Sequence, residues 1–400
     1  MTRFSSSVNN LRSSEIRDLM SLANKPGMIL FSGGMPDNNL FPLHQMDDIF
    51  SQLTEKEKQI AMQYGPTSGL PQLLESLKEF LRKKGLPVDE NKLMITTGSL
   101  QAINILAKAF IDPGDTIVVE NPCFIGAISA FKSYQANIVS VPLKADGIDL
   151  EKLKETLANA EQKPKFVYLT PNFHNPAGTL YTIETKKALI EILSGQDIPL
   201  IEDDAYSDLC YYEEDKKHLT TIKEMNPAGI EVCYTGSFSK ILGPGLRLGW
   251  MLVPENIYQK CELIKQSIDA CSPSFTQMLA HKFVETGAVY DYIENVRKEY
   301  KKRAEAMVEA LHKHLPSNIT FTAPRGGFYI WLHLPEQMDS TEVLKRAIEK
   351  GVVFVSGKTF DPHGLINNTM RLSFCNTSVE KINEGIPLVA EALKTEVARL

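Results

Sequence analysis

Long hydrophobic runs are missing from this chain. Charged residues break every apolar stretch before it reaches the roughly 20 residues that cross a bilayer, and the opening Met1-Thr2-Arg3-Phe4-Ser5-Ser6-Ser7 has no apolar segment behind it. That argues against a spanning or secreted chain and predicts a soluble, cytoplasmic protein with no membrane partner. Charge of one sign is lacking too: 43 Lys and Arg stand against 49 Asp and Glu, with a net charge of -6 spread along the sequence. No polyanion-binding face is built that way, so nucleic acid is not an expected partner. The 6 cysteines (Cys123, Cys210, Cys233, Cys261, Cys271 and Cys375) form no C-x-x-C pair and no histidine stands at ligand spacing to them. They read as reduced, mostly buried thiols, and no metal site is expected. Repeats and low-complexity segments are absent.

What is present is a 400-residue chain with 43% hydrophobic content, too long for one simple core, so two domains are the default expectation. Residues 1 to about 45 are rich in Ser, Asn, Gly and Pro and read as a short helix followed by an extended arm. Beyond about residue 70, helical patterns such as Pro71 to Lys84 alternate with short apolar runs: 92–96, 116–120, 166–169, 199–202 and 231–234. Strands recurring between helices predict an α/β domain with a mostly parallel, buried sheet over residues 46–285. A long charged helical pattern, Tyr290 to His314, leads to further strands at 327–334, 352–355 and 370–374 and a last helix from Val379, which predicts a smaller α+β domain over 286–400.

Four segments carry chemistry. In Thr235-Gly236-Ser237-Phe238-Ser239-Lys240, followed by Arg247, a lysine sits among small and apolar residues just after a strand. Such a lysine deprotonates more easily than a solvated one, and the hydroxyls and the guanidinium suit a phosphate; the alternative is a Gly-rich surface loop with ordinary cations. Gly98-Ser99-Leu100 ends a strand and begins a helix, whose free N–H groups make an anion cradle, although many such turns bind nothing. In Ile201-Glu202-Asp203-Asp204-Ala205-Tyr206 carboxylates follow a buried strand. A buried carboxylate needs a partner, a protonated heteroaromatic nitrogen being one, whereas a solvent-facing strand end would need none. Finally, Thr170 to Gly178 is a rigid turn that offers the Asn175 amide to a ligand. All four lie at carboxyl ends of strands, where open α/β sheets bind ligands.

Together these motifs, N-P-A-G, D-x-x-Y, S-x-S-K and the later arginine, resemble the fold-type-I pyridoxal-phosphate enzymes of the class I/II aminotransferase superfamily, and the likeness runs from Ile16-Arg17 to Met370-Arg371-Leu372-Ser373. Ser32-Gly33-Gly34-Met35-Pro36-Asp37, Gln63-Tyr64-Gly65-Pro66-Thr67-Ser68-Gly69 and Pro171-Asn172-Phe173-His174-Asn175 are similar to the branch holding 2-aminoadipate and kynurenine aminotransferases and the effector domains of MocR-type regulators. The resemblance implies pyridoxal 5'-phosphate as cofactor. By it Lys240 is the imine-forming amine and proton carrier, Asp203 the partner of the ring nitrogen, and Asn175 and Tyr206 the partners of the phenolic oxygen. Ser99, the backbone at Leu100, Ser237, Ser239 and Arg247 would hold the phosphate. Phe124 stands where relatives often have a stacking tyrosine, a change that keeps the ring. Gln101 is as well explained as a helix surface residue, and His174 is taken as structural. Arg371, with Asn175 and the backbone near Gly34, would clamp the substrate carboxylate. Tyr64 would reach the phosphate of a neighbouring subunit, so a homodimer with shared active sites is implied.

The implied reaction moves an amino group between an L-amino acid and a 2-oxo acid such as 2-oxoglutarate. Arg17 matches a position that contacts the distal end of the substrate in some relatives; which of 2-aminoadipate, glutamate, aromatic or aliphatic amino acids is preferred rests on pocket shape. A C–S β-lyase on the same scaffold is the alternative enzyme. A ligand-sensing regulatory domain is the alternative outside enzymes, disfavoured because such proteins carry a winged-helix segment before this domain.

Overall fold

Helices and strands alternate from Pro71 onward in this computed structural model, which describes residues 3–9, 19, 27–225 and 229–398. Local chemistry explains the boundaries. The helix Pro71–Lys83 starts with proline at its first turn and buries Leu73, Leu77, Phe80 and Leu81, a stripe at helical spacing. Glu55–Ala61 opens on a reciprocal Thr54/Glu57 capping box.

The central sheet has eight strands in the order Lys92–Thr96, Gly249–Val253, Val232–Ser237, Leu200–Asp204, Val167–Leu169, Thr116–Asn121, Asn137–Lys144 and Gly147–Ile148. Neighbouring strands are parallel from Val232–Ser237 through Asn137–Lys144, while Gly249–Val253 runs antiparallel to both its neighbours. The expected α/β class with a mostly parallel sheet is therefore present. Three of these strands lie outside the expected apolar runs, the two-residue Gly147–Ile148 among them. Gly249–Val253 is fully buried and continuous with the Lys240 segment, whose glycines and proline mask its short apolar run. In Asn137–Lys144, Pro142 and polar neighbours dilute the apolar signal. Apolar clusters fill both faces: one around Ile103, Leu106, Phe131 and Met251, another around Val118, Leu169, Leu189 and Leu200.

A second, four-stranded antiparallel sheet orders Thr320–Phe321, Tyr329–His333, Thr369–Ser373 and Val355–Ser356. The 27-residue helix Ala288–His314 leads into it, and Val379–Val397 closes the described chain. The arm is tied to this part: Ile29–Leu30 pairs in parallel with Val352–Val353, and the Ser373 amide donates to the Phe31 carbonyl at 2.8 Å. No helix among the described residues is long and apolar enough to cross a membrane.

Candidate active site

The strand Val232–Ser237 is wholly buried and runs straight into a short 3-10 turn, Phe238–Lys240, capped by the Ser237 hydroxyl, which accepts from the Ser239 amide at 3.1 Å. This geometry delivers Lys240 to the carboxyl edge of the sheet. Its Nζ donates to the Gly34 carbonyl of the arm at 2.8 Å and lies 5.8 and 5.4 Å from the ring centres of Tyr206 and Phe328. Burial is the main reason the amine is pulled down to about 8, with Arg371 and Arg247 adding to the effect and Cys375 opposing it.

One strand over, Leu200–Asp204 is buried along its length and alternation separates its acids. Glu202 accepts from the Ile222 and Lys223 amides at 2.8 and 2.9 Å, and Asp204 from the Tyr234 hydroxyl at 2.8 Å. Asp203 faces the pocket. It accepts from the Tyr168 hydroxyl at 2.7 Å and from Thr235 Oγ1 at 2.9 Å, both on adjacent strands and both neutral. Burial pushes its pKa up to about 6, and the two hydrogen bonds hold it back. The strand-end alternative is thereby settled: this is a buried carboxylate whose partners carry no charge.

The anion cradle forms where Lys92–Thr96 ends. Gly98 has φ of 79°, and the helix Ser99–Phe110 begins with no side chain bonded to its first amides. A Cβ on Gly98 would meet Arg247 Nη2 at 2.7 Å, so glycine is required for the guanidinium to lie across the turn. Gln101 is half-buried and does not line the pocket: it accepts from the Thr97 amide at 2.7 Å and donates to Asp269 at 2.7 Å, bracing this turn.

Arg371 is 2% exposed on Thr369–Ser373. Nη1 donates to Asn175 Oδ1 at 2.9 Å and Nη2 to the Ser32 carbonyl at 2.6 Å, the guanidinium is 4.4 Å from the Tyr329 ring centre, and Nε is buried without a partner among the described residues. An orphaned donor on a buried cation suits an incoming carboxylate.

These groups share one pocket of about 300 Å³, lined among others by Ser99, Leu100, Phe124, Asn175, Asp203, Tyr206, Ser237, Ser239, Lys240, Arg247, Arg371 and Gly34. A larger cavity of about 550 Å³ lies between Lys144 and Arg325, but its charges are committed elsewhere. Lys144 pairs with Asp149, Arg325 with Glu214 and Asp215, and Asp361 with backbone amides. Two expected site residues lie apart. Tyr64 is 86% exposed and lines no part of the pocket, and Arg17 is outside the described residues. His174 is buried and bonded to its own turn, accepting from the Ala177 amide at 3.2 Å.

Sequence reasoning missed Tyr329, whose hydroxyl is 3.1 Å from that of Tyr206 and whose ring supports Arg371. It also missed Tyr168, Thr235 and Thr170, the last of which lines the pocket. The signal for Tyr329 was faint: Gly326-Gly327 just before an aromatic pair, which permits close approach of another chain segment.

The sequence profile of the family described as aminotransferase class I and II matches residues 25–387. The chain is 38% identical to the aromatic-amino-acid aminotransferase 1 of Thermococcus litoralis, over 99% of this chain and 95% of that protein. It is 34% identical to the 2-aminoadipate transaminase of Thermus thermophilus, over 98% and 96%. Among solved structures, kynurenine aminotransferase of Pyrococcus horikoshii superposes with a TM-score of 0.94 at 39% identity, over 98% of this chain and 97% of that one.

Proposed function

This chain belongs to the class I and II aminotransferase family and is a pyridoxal-phosphate-dependent aminotransferase; we propose that its amino donors are L-amino acids with aromatic or long side chains, 2-aminoadipate included, and its acceptor a 2-oxo acid such as 2-oxoglutarate. The observation that carries the reading is the convergence of Lys240, Asp203 and Arg371 on one pocket. Three relatives act, by their names, on aromatic amino acids, 2-aminoadipate and kynurenine. The aromatic walls at Phe124, Tyr206 and Tyr329 suit such side chains.

The donor set fits the cofactor. Asp203 is a buried carboxylate with no cation among its hydrogen-bond partners, as a protonated ring nitrogen requires. Ser99, the Leu100 amide, Ser237, Ser239 and Arg247 would hold the phosphate, Phe124 would cover the ring, and Asn175 and Tyr206 would face the phenolic oxygen. When bound, pyridoxal phosphate supplies an aldehyde carbon that can hold the amino group and a ring that withdraws electron density from the substrate's Cα. Arg371 orients the substrate by its carboxylate and so fixes the Cα–H bond relative to Lys240. With its amine near 8, Lys240 exists in both protonation states close to neutral pH and can take a proton from Cα and return one.

We extend the proposal to a homodimer with shared active sites. Tyr64 and Met62 are 86% and 81% exposed, beside the exposed Phe50–Phe275 pair, an apolar face suited to a second copy. We also retain the division into arm (1–45), large domain (46–285) and small domain (286–400), and a reducing, cytoplasmic setting in which the six free thiols are stable. The test is a half-reaction screen: cofactor-loaded enzyme is mixed with single amino acids and the cofactor's absorbance is followed. Aromatic amino acids and 2-aminoadipate should convert fastest, with turnover requiring a 2-oxo acid. Fastest conversion of small aliphatic amino acids would overturn the substrate assignment.

A further inference from the structure

Between Phe31 and Asp37 the arm has no regular secondary structure, yet its carbonyls contact two groups of the site and a neighbouring thiol. The Ser32 carbonyl accepts from Arg371 at 2.6 Å, that of Gly34 from Lys240 at 2.8 Å and that of Met35 from the Cys375 thiol at 3.0 Å. Two glycines in this stretch leave its path to its end attachments. One attachment is the pairing of Ile29–Leu30 with Val352–Val353. The other is Asp37, 8% exposed, whose Oδ2 accepts from Arg303 Nη2 at 2.6 Å and whose amide donates to the Tyr300 hydroxyl at 3.3 Å.

Arg303 is itself 5% exposed and uses its whole fork. Nε donates to Glu299 at 3.0 Å on its own helix, and Nη1 donates to the Cys375 carbonyl at 2.7 Å, just beyond the strand that carries Arg371. One guanidinium thus joins the arm, the end of the Arg371 strand and the long helix Ala288–His314. A single planar cation with several fixed donors can hold three backbone segments in one register, which a lysine cannot.

We infer that Arg303, through Asp37, is a positioning residue for substrate binding: it sets where the arm carbonyls meet Arg371 and Lys240, and thereby how the carboxylate clamp is aimed. The inference rests on the proposed role of Arg371 as that clamp. Without Arg303, Asp37 is left buried with no cation and only the bonds from the Asn39 amide and side chain, the Cys375 carbonyl loses its donor, and both sides of the clamp shift. The phosphate cradle and Asp203 belong to the central sheet and share none of these bonds. Amino-acid binding should therefore suffer while cofactor binding does not, a split that general loosening of the fold does not produce.

The experiment compares Arg303→Met, Arg303→Lys, Asp37→Asn and the Asp37→Asn/Arg303→Met double variant, each loaded with cofactor. Two constants are read: the affinity for pyridoxal phosphate, and the half-saturation of the half-reaction by the best amino acid of the screen. Arg303→Met should raise the half-saturation roughly tenfold or more, since misplacement of a clamp by about 1 Å has effects of that order. Arg303→Lys and Asp37→Asn should fall between it and wild type. The double variant should be no worse than Arg303→Met alone, because both changes break one link. Cofactor affinity should stay within about twofold of wild type, the pair sharing no hydrogen bond with the cradle. An unchanged half-saturation, an equal loss of cofactor affinity, or additive single effects would each overturn the inference. Should Arg303→Met fail to fold, Asp37→Asn decides by the same criteria. Arg371→Ala separates the two levels: if it leaves half-saturation unchanged the clamp itself is wrong, whereas a large rise there with no effect at Arg303 refutes only the positioning role.

Discussion

Replacing Asp203 by asparagine should make the cofactor-free protein more stable at neutral pH and the cofactor-bound protein less so. Burial holds the Asp203 carboxyl at about 6, against an ordinary value of 3.8, despite the hydrogen bonds from Tyr168 and Thr235. A carboxyl whose folded pKa lies above its unfolded value binds its proton more tightly in the native state. Its contribution to stability is complete below about pH 4 and is lost as pH rises through about 6. At about 1.4 kcal/mol per pKa unit, the gap corresponds to roughly 3 kcal/mol. Asparagine keeps the shape without the charge, its Oδ1 accepting from one hydroxyl while its NH2 donates to the other, so it escapes that loss.

The measurement is thermal unfolding of cofactor-free wild type and Asp203→Asn across a pH series. Glu202 and Lys186, whose buried groups sit at about 7 and about 8, titrate in both proteins and cancel in the difference. The melting-temperature advantage of the variant should grow between about pH 4 and about pH 7, then level off at a few degrees. With saturating cofactor the order should reverse, because a protonated ring nitrogen gives the wild-type carboxylate its cation and gives asparagine nothing. A difference that is flat across this range, or a variant less stable than wild type above neutral pH without cofactor, would refute the reasoning.

Three other outcomes are expected. Recombination of cofactor-free enzyme with pyridoxal phosphate, followed by absorbance, should accelerate as pH rises through about 8, since the neutral Lys240 amine is the nucleophile; Lys240→Ala should show no such phase and no turnover. Arg371→Lys should raise the half-saturation for amino acids roughly 10- to 100-fold, the scale of lost charge-assisted hydrogen bonds, with cofactor affinity preserved. Tyr329→Phe removes the hydroxyl 3.1 Å from Tyr206 while keeping the ring under Arg371, so kcat should fall about 2- to 10-fold with half-saturation little changed.

Residues whose role is written in local chemistry could be read directly. Lys240 follows a strand and two serines, Asp203 ends an apolar run, and Gly98-Ser99 marks a strand-to-helix turn. Their partners could not be read, because those depend on register between distant strands. Thr235 meets Asp203 only because the two are directly opposite in a parallel pair, and Tyr168 reaches it from the strand on the other side. Tyr329 looked like one apolar residue in a strand. Its contact with Arg371 arises from antiparallel pairing in which Arg371 lies opposite Trp331, two residues along. Gln101 has the spacing of a helix surface residue, and its bracing role depends on the approach of Asp269 from a distant part of the chain. The strand Gly249–Val253 was hidden because it begins two residues after Arg247, inside a segment whose glycines and proline signal a loop.

The arm's composition follows from the charge balance of the pocket. Among the described residues Lys240, Arg247 and Arg371 line it against Asp203 alone, so the pocket they form is cationic within a chain whose net charge is -6. Buried cations need partners whenever no anionic ligand is bound. The Ser32 and Gly34 carbonyls fill that role for Arg371 and Lys240, and they leave Arg371 Nε unpaired. A carbonyl dipole is a weaker acceptor than a carboxylate, so a substrate carboxylate can displace it. An acidic side chain in the same place would compete with substrate on equal terms. Asp37, the one carboxylate of residues 27–46, is instead turned away from the pocket and bound by Arg303. The backbone can therefore cap the site reversibly, while the one full negative charge of residues 27–46 is spent holding that stretch in place.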